Sequence, residues 1–335
     1  MSVVTTFRDA LRPLAGGVLV LVPALALAVT VVGGPPSRAA DSGGDTHALL
    51  VGVSEYPNLP SILHLEGPRN DVAMWHDLLL ARGVPGAQIA VLADGVDGAE
   101  LPTRAAILAA LDGLAQTVGP SDDVFLLMAG HGSQQLQGAI GDTTEADGLD
   151  EIFLPYDAGR WNGQAGMVEN AIVDDEFGAA IDALRATGAF VWVVFDACHS
   201  GTMDRGADPD TPVEERDRGI EPVVLGVPLD DVVLGAGDLV EGTMDAPADD
   251  LPGGLVAFYA AQSWERAPEK LYRDANGDRA FFGLFSRTLA DTLAANPSTT
   301  FADLIGAVQA HYVDQGRDGP TPLAQGSALD MAVFF

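Results

Sequence analysis

Apolar runs of strand length alternate with amphipathic segments along most of the chain. A run of apolar, β-branched and aromatic residues that is too short for a helix predicts a strand buried on both faces. The segments predicted as strands are His47–Val53, Gln88–Leu92, Asp123–Met128, Ile152–Pro155, Phe190–Phe195, Gly254–Ala261 and Ala328–Phe335. Segments with helical spacing begin near Asn70, Thr103, Asp174, Phe282 and Thr300. This alternation predicts one α/β domain, an αβα sandwich on a mostly parallel sheet of about six strands.

Two stretches depart from the alternating pattern. Residues 205–253 are rich in Asp, Gly, Pro and Arg and show weak periodicity, so they are predicted as an acidic flexible linker. At the amino end, basic residues precede the apolar stretch Leu14–Val32, and small residues offer a cleavage site near Ala40. Residues 1–40 are therefore predicted as a signal peptide that exports the protein to the periplasm or medium. A stretch of about 19 residues can also span a bilayer, so a membrane-tethered form is the alternative.

The charge balance narrows the range of partners. The chain carries 48 acidic and 17 basic residues, for a formal net charge of −31. Such a surface argues against nucleic acid as a partner. It suits a cationic ligand, a metal ion or a salty medium, and general solubility is an equally simple explanation. No organic cofactor is expected.

Two chemically active residues follow the ends of predicted strands. Cys198, the only cysteine, comes shortly after Phe190–Phe195, and His131 comes shortly after Asp123–Met128. Open α/β sheets place their chemistry at the carboxyl ends of the strands. A histidine can take the proton of a thiol, and the backbone N–H groups of Gly132 and Cys198 are candidates for an oxyanion hole. The alternative is a loop histidine beside a buried structural thiol.

The surrounding motifs add a family resemblance. AGHGS at residues 129–133 and DACHSG at residues 196–201, with DGLDEIFLPYD between them, resemble the caspase-like cysteine peptidases, in their metacaspase and bacterial caspase-homologue (orthocaspase-like) branch. The resemblance is close over residues 46–204 and looser over residues 254–335, which would be the small-subunit-like part of the same domain. It implies a caspase-like fold, a monomer, Cys198 as the nucleophile of peptide hydrolysis and His131 as the general base.

Two acidic residues predict the substrate preference. Asp196 lies two residues before Cys198, so strand alternation can put both on one side of the sheet edge. Asp71 matches the position of a second pocket acid in metacaspases, although a helix cap is the alternative. Two carboxylates in one pocket predict polypeptide substrates with Arg or Lys before the cut bond. Ala129 stands where metacaspases tend to carry a serine, which puts one hydrogen bond of the pocket in doubt.

The resemblance also implies a calcium site. The ligand positions of calcium-dependent metacaspases fall on Asp150, Asp174, Asp175 and Asp204. Calcium prefers oxygen ligands such as these. A solvated acidic loop, with a helix cap at Asp174, is the alternative.

The linker offers sites at which such an enzyme could cut itself, at Arg205, Arg216 and Arg218. The sequence thus predicts a calcium-stimulated, self-cleaving cysteine endopeptidase. The alternative is a catalytically silent caspase-fold scaffold that binds calcium or a protein partner.

Overall fold

A computed structural model describes residues 43–138, 148–198, 214–229, 250–262, 265–273 and 278–335 of the chain. The strands and helices of these residues, in chain order, are β1 Thr46–Gly52, α1 Gly67–Ala81, β2 Ile89–Ala93, α2 Arg104–Thr117, β3 Asp123–Ala129, β4 Gly132–Leu136, β5 Leu149–Phe153, β6 Trp161–Asn162, β7 Met167–Val168, β8 Ile172–Val173, α3 Asp174–Ala186, β9 Phe190–Asp196, β10 Glu215–Asp217, α4 Pro222–Leu225, β11 Leu255–Tyr259, β12 Pro268–Arg273, β13 Arg279–Gly283, α5 Leu284–Ala295, α6 Phe301–Asp314 and β14 Leu323–Gly326.

The central sheet has six strands in the order β14-β11-β9-β3-β1-β2. Strand β14 is antiparallel to β11, and the other neighbours are parallel. Strands β3 and β9 are paired along their whole length, so that their last residues, Ala129 and Asp196, lie side by side. The predicted α/β fold on a mostly parallel six-stranded sheet is confirmed.

Each face of the sheet carries its own hydrophobic core, because successive side chains of a strand point to opposite faces. On β9, Val191, Val193 and Phe195 face the core that contains apolar residues of α2 and α3. Phe190 and Trp192 face the core that contains apolar residues of α1, α5 and α6. This alternation turns Asp196 toward the same side of the sheet as Trp192, where α1 lies.

The predicted last strand is wrong. The edge strand that pairs with β11 is Leu323–Gly326, whereas Ala328–Phe335 forms no strand. The apolar residues of that segment pack as irregular chain, with the ring of Phe335 stacked on Trp192 at a centroid distance of 5.5 Å. The strand-like composition of this segment therefore reflects burial, and its β-bridge between Ala332 and Thr300 is isolated.

The starts of two helices also differ from the sequence prediction. Helix α1 begins at Gly67, before the predicted start at Asn70, and Asp71 lies fully buried inside the helix rather than at its cap. Helix α3 has Val173 as its N-cap, so Asp174 and Asp175 lie in the first turn. Carboxylates in that turn interact favourably with the helix dipole.

Part of the predicted linker is folded. Residues 214–229 contain β10 and α4, and β10 joins β12 and β13 in a separate three-stranded sheet. Linker residues 205–213, which include Arg205, and 230–249 lie outside the described ranges, as do residues 1–40 and Asp204. Among the residues that are described, no helix is both long and apolar enough to cross a membrane.

Candidate active site

The carboxyl ends of β3 and β9 bring the two predicted catalytic residues to one edge of the sheet. Cys198 follows β9 by two residues and His131 follows β3 by two residues. Cys198 is 1% exposed and His131 is 3% exposed. Both groups are thus shielded from solvent at the edge where the sheet can hold a substrate.

Backbone and side-chain contacts fix the orientation of His131. Its Nε2 lies 2.7 Å from the carbonyl oxygen of Leu63, and its backbone N–H donates to the hydroxyl of Tyr56 at 2.7 Å. A carbonyl only accepts, so Nε2 carries the proton of the neutral ring. The other nitrogen, Nδ1, has no partner within hydrogen-bond geometry among the described residues, although the backbone of Arg218 is close enough to act on the pKa of the ring. The neutral ring therefore keeps its lone pair on Nδ1, as a proton acceptor requires.

The thiol of Cys198 contacts the residue that precedes β12. The backbone N–H of Ala267 donates to Sγ at 2.5 Å, and Sγ lies 3.3 Å from the carbonyl oxygen of the same residue. Burial raises the pKa of Cys198 to about 12, and the Ala267 hydrogen bond only partly opposes it. Burial also lowers the pKa of His131 to about 4, against the backbone carbonyls of Leu63 and Arg218. The pair is therefore a neutral thiol and a neutral imidazole at neutral pH.

The two predicted oxyanion donors converge on one carbonyl group. The N–H of Gly132 donates to the carbonyl oxygen of Arg218 at 3.0 Å, and the N–H of Cys198 donates to the same oxygen at 3.3 Å. The N–H of Arg218 in turn donates to the carbonyl oxygen of Ala267 at 2.9 Å. The peptide group of Arg218 is thus held on both sides, with its carbonyl between the two donors.

The side chain of Arg218 fills the pocket formed by the two predicted specificity residues. Its Nη2 donates to Oδ2 of Asp71 at 2.6 Å, and its Nη1 lies 3.0 Å from Oδ2 of Asp196. All three side chains are fully buried. The N–H groups of Gly283 and Ser286 donate to the carboxylates of Asp71 and Asp196 respectively, at 2.9 and 3.0 Å. The structure therefore brings both carboxylates together around an arginine.

Burial and charge act against each other inside this pocket. Burial raises the pKa of Asp71 above its ordinary value, Arg218 acts to lower it, and the neighbouring Asp196 adds to the increase. Burial acts to lower the pKa of Arg218, but Asp196 and Asp71 outweigh it and hold that pKa above its ordinary value. Loss of one partner from such a buried pair typically costs about 3–5 kcal/mol. The pocket therefore favours a guanidinium strongly over an uncharged side chain.

Three further pocket residues escaped the sequence analysis. Glu269 is buried, and its Oε2 accepts the N–H of Gly67 at 2.7 Å. A Cβ on Gly67 would lie 2.5 Å from Nη2 of Arg218, and a Cβ on Gly283 would lie 2.0 Å from Oδ2 of Asp196. Both glycines leave room for the guanidinium. These residues are distant in sequence from the two motifs, and no pattern marks them.

Residues 214–220, which we call the docked segment, run through the site as strand β10 followed by a bend at Arg218. Strand β10 pairs antiparallel with β12. On the other side of Arg218, the N–H of Ile220 donates to the carbonyl of Gly132 at 3.0 Å, and the hydroxyl of Ser133 donates to the carbonyl of Ile220 at 2.6 Å. The docked segment therefore runs between β12 and Gly132, with the carbonyl of Arg218 beside the N–H groups of Gly132 and Cys198.

The predicted calcium ligands are only partly described. Asp150 lies on β5 and is 2% exposed, while Asp174 and Asp175 begin α3 directly after β8, which pairs with β5. Their carboxylate oxygens are donors that suit calcium. Within the described residues, however, no three His, Cys, Asp or Glu side chains come together as a metal site. Asp204 lies outside those residues, so this set does not form a complete site by itself.

Comparisons with known proteins find similarity to one family. Residues 46–205 match the family described as metacaspase, peptidase C14 domain. Metacaspase-1 of Mycosarcoma maydis is 34% identical over 160 residues, which are 48% of this chain and 36% of that protein. Metacaspase-1B of Aspergillus fumigatus is 33% identical over 163 residues, with the same two shares. The chain thus spans little more than a third of the length of these relatives.

A solved structure supports the fold over a longer part of the chain. The crystal structure of protein GSU0716 from Geobacter sulfurreducens superposes with a TM-score of 0.54 at 18% sequence identity. The superposition covers 84% of this chain and 92% of that protein, so the likeness extends beyond the region matched by the family. From the family match and the curated relatives, residues 46–205 are similar to a caspase-like peptidase domain of the metacaspase type.

Proposed function

We propose that the chain is a cysteine endopeptidase that cuts polypeptides after arginine or lysine, with Cys198 as nucleophile and His131 as general base. One observation carries the proposal. The carbonyl of Arg218 lies between the N–H groups of Gly132 and Cys198 while its guanidinium lies between two buried carboxylates. An oxyanion hole and a cation pocket are the two features that such an enzyme needs around one residue.

The pocket supports arginine over lysine. Arginine reaches Asp71 through Nη2 and Asp196 through Nη1, so one planar group serves both carboxylates. A lysine ammonium is a single point charge and cannot match this fork. Both residues are proposed as substrates, with arginine cut faster.

The first half of the proposed reaction forms a thioester. His131 takes the thiol proton on Nδ1 as Sγ of Cys198 attacks the carbonyl carbon, and the negative charge that develops on the oxygen is stabilised by the N–H groups of Gly132 and Cys198. The tetrahedral intermediate collapses when the C–N bond breaks. The leaving amine takes the proton from His131, and the acyl group stays on the sulfur.

The second half releases the acid. A water molecule gives a proton to His131 and attacks the thioester carbonyl, and the same two N–H groups stabilise the oxyanion. Breaking of the C–S bond releases the carboxylic acid, and the thiol regains its proton from the imidazolium. Cys198 and His131 return to the neutral forms that their shifted pKa values favour.

The proposal includes self-cleavage between Arg218 and Gly219, because the carbonyl oxygen of Arg218 already accepts hydrogen bonds from the N–H groups of Gly132 and Cys198. Mass spectrometry of the purified chain should find new termini at these two residues, and Cys198→Ala should stay intact. Arg218→Gln should slow the cut at this bond by at least about 100-fold, since the pocket loses its charged occupant.

Arg287→Gln is the matched control, because this partly exposed residue pairs with Asp291 within α5 and packs on Tyr272 and Phe282 rather than on the docked segment. It should be cut at the unchanged rate. A wild-type chain that remains whole with and without calcium would contradict the self-cleavage proposal.

Calcium stimulation is proposed from the place of Asp150 on β5 and of Asp174 and Asp175 directly after β8, which pairs with β5, and from Asp204 in the sequence. A calcium titration of the Cys198→Ala chain by calorimetry measures binding without any cleavage. Asp150→Asn should weaken that binding, and Asp303→Asn, which changes an acid in the first turn of α6, should not. Absence of calcium binding to the Cys198→Ala chain would remove calcium from the proposal.

A catalytically silent scaffold is the second candidate. The burial of Cys198 and the raised pKa of its thiol favour it, because a buried protonated thiol is a poor nucleophile. The two candidates differ in what happens when the docked segment leaves. The enzyme should acquire a reactive thiol, whereas the scaffold should not.

Export as a monomer completes the proposal. The apolar stretch of residues 14–32 in the sequence supports export. Cell fractionation with amino-terminal sequencing of the mature chain tests export, and light scattering tests the monomer. Protein found only in the cytoplasm with an intact amino terminus would refute export.

A further inference from the structure

The four residues that precede the Arg218–Gly219 bond alternate in charge, and each contacts a group of opposite charge outside the docked segment. We infer that the enzyme selects peptides in which acidic residues alternate with arginine, in the order acid, Arg, acid, Arg before the cut bond. This inference deepens the proposed function and rests on it. Subsites are numbered by counting back from the cut, so that Arg218 occupies subsite 1 and Glu215 occupies subsite 4.

Subsite 2 is built for an acidic residue. Oδ2 of Asp217 accepts a hydrogen bond from Nη1 of Arg266 at 2.7 Å. Arg266 directly precedes Ala267, whose backbone contacts both Sγ of Cys198 and the N–H of Arg218. The cation of subsite 2 is therefore placed by the same piece of backbone that positions the nucleophile and the substrate.

Subsite 4 presents two cations to one acid. The carboxylate of Glu215 contacts the guanidinium of Arg317, and Nζ of Lys270 lies 3.7 Å from it. Lys270 is directly opposite Glu215 in the register of β10 and β12. It is also the only lysine of the chain.

Subsite 3 between them takes a basic residue. Nη2 of Arg216 lies 2.9 Å from Oε1 of Glu66, and Nη1 lies 3.5 Å from Oε1 of the buried Glu269. The guanidinium carbon also lies 4.4 Å from the ring centroid of Phe281. Two carboxylates and an aromatic face together favour a cation, and arginine above lysine.

The cations of subsites 2 and 4 contrast with the negative charge of the chain as a whole. A chain of net charge −31 repels acidic peptides at long range. Subsites 2 and 4 hold three of its few cations, Arg266, Lys270 and Arg317, next to acidic side chains. These contacts are partly exposed, and such a pair contributes up to about 1 kcal/mol, or about fivefold in rate constant.

A peptide panel with fixed arginine in subsite 1 tests the inference on the self-cleaved chain. The reference Glu-Arg-Asp-Arg should be cut about fivefold better, by kcat/KM, than the same peptide with Asn in subsite 2. Arg266→Gln should abolish that preference, and Arg266→Glu should reverse it in favour of Lys in subsite 2. Arg287→Gln, with similar exposure, should leave the preference unchanged. Equal rates on the Asp and Asn peptides in the wild type would overturn the inference.

Hydrogen exchange on the uncut Cys198→Ala chain decides the same question without catalysis. Asp217→Asn and Arg266→Gln should each speed amide exchange in the docked segment, and the double variant should speed it no further than either single variant. Additive effects, or none, would overturn the inference. If no peptide is cut by the wild type, the proposed activity fails, while the exchange result still decides whether Arg266 recognises the acid.

Discussion

At the scale of single residues, the site holds its reactive groups in uncharged forms. Burial raises the pKa of the Cys198 thiol to about 12 and lowers that of His131 to about 4. A preformed thiolate and imidazolium would require the opposite shifts. The proton must therefore leave the thiol during the attack, and the Nδ1 lone pair of His131 is available to take it.

The rate at which iodoacetamide alkylates Cys198 should depend on pH as the raised pKa of this thiol predicts. In the uncut chain the rate should be low at pH 7 and increase about tenfold for each pH unit up to pH 10, because only the thiolate reacts. Arg218→Gln should release the docked segment, hydrate the thiol, lower its pKa and so move the profile to lower pH. Mass spectrometry of labelled Cys198 measures both profiles.

The control is again Arg287→Gln, which should keep the wild-type profile. Rapid labelling of the uncut wild-type chain at pH 7 would contradict the burial of Cys198. Unchanged slow labelling of Arg218→Gln would favour the silent scaffold over the enzyme.

At the scale of elements, the pocket is formed where separate segments meet. Asp71 comes from α1 and Asp196 from the end of β9. Gly283 ends β13 and precedes α5, and its N–H bonds to Asp71. The junction between β13 and α5 thus forms one wall of the pocket. Because Gly283 has no side chain, the wall leaves room for the guanidinium of Arg218.

Gly283→Ala tests this wall. The new Cβ would lie 2.0 Å from Oδ2 of Asp196 and 2.6 Å from Nη1 of Arg218, so the guanidinium could not keep its place. We expect kcat/KM on arginine peptides to fall by about 100-fold, because small displacements at a reacting centre have effects of that size. Gly113→Ala is the matched control, because a Cβ there meets nothing within 4 Å. Equal activity of both variants would show that the junction does not limit the pocket.

Elements of the central sheet were predictable because their signal is local. Buried parallel strands such as β3 and β9 are continuous apolar runs, and the motifs after them locate His131 and Cys198. Strand alternation also put Asp196 on the correct side. Ala328–Phe335 was misassigned because an apolar run reports burial, and burial does not require strand pairing.

The sequence predicted Arg216 and Arg218 of the docked segment as sites of self-cleavage, but it did not predict that the segment is ordered in the site. Its residues are mostly charged, so they show the composition of a solvated linker and no strand period. Its order depends on β12 and on partners such as Glu66 and Arg317, which are far away in sequence. Glu269 and Gly283 escaped for the same reason, since their roles arise only from the folded arrangement.

At the scale of the whole molecule, charge is distributed unevenly. The net charge is −31, yet basic side chains gather around the docked segment. The long-range field therefore attracts cationic peptides, whereas the local contacts select an alternating pattern. The two effects have different ranges, so salt should separate them.

Increasing the NaCl concentration from about 0.03 M to about 0.5 M should lower kcat/KM more for a peptide with several arginines and no acids than for the neutral Glu-Arg-Asp-Arg peptide. The reason is that the attraction of a net cation to the whole chain is screened, while a peptide without net charge gains little from that field. Steady-state rates at matched pH measure the difference. The same salt slope for both peptides would contradict long-range steering.

The carbonyl of Arg218 between the N–H groups of Gly132 and Cys198 belongs to the same molecule as the nucleophile, which fixes the kinetic order of the first event. A tethered ligand has an effective concentration that dilution cannot change, so the first cut should be first order in protein. An added peptide must compete with that tethered ligand until the cut has occurred. Each molecule would then cut itself once, at a rate that does not depend on the protein concentration. Only afterwards would it act as a catalyst on other peptides, at a rate that depends on the substrate concentration.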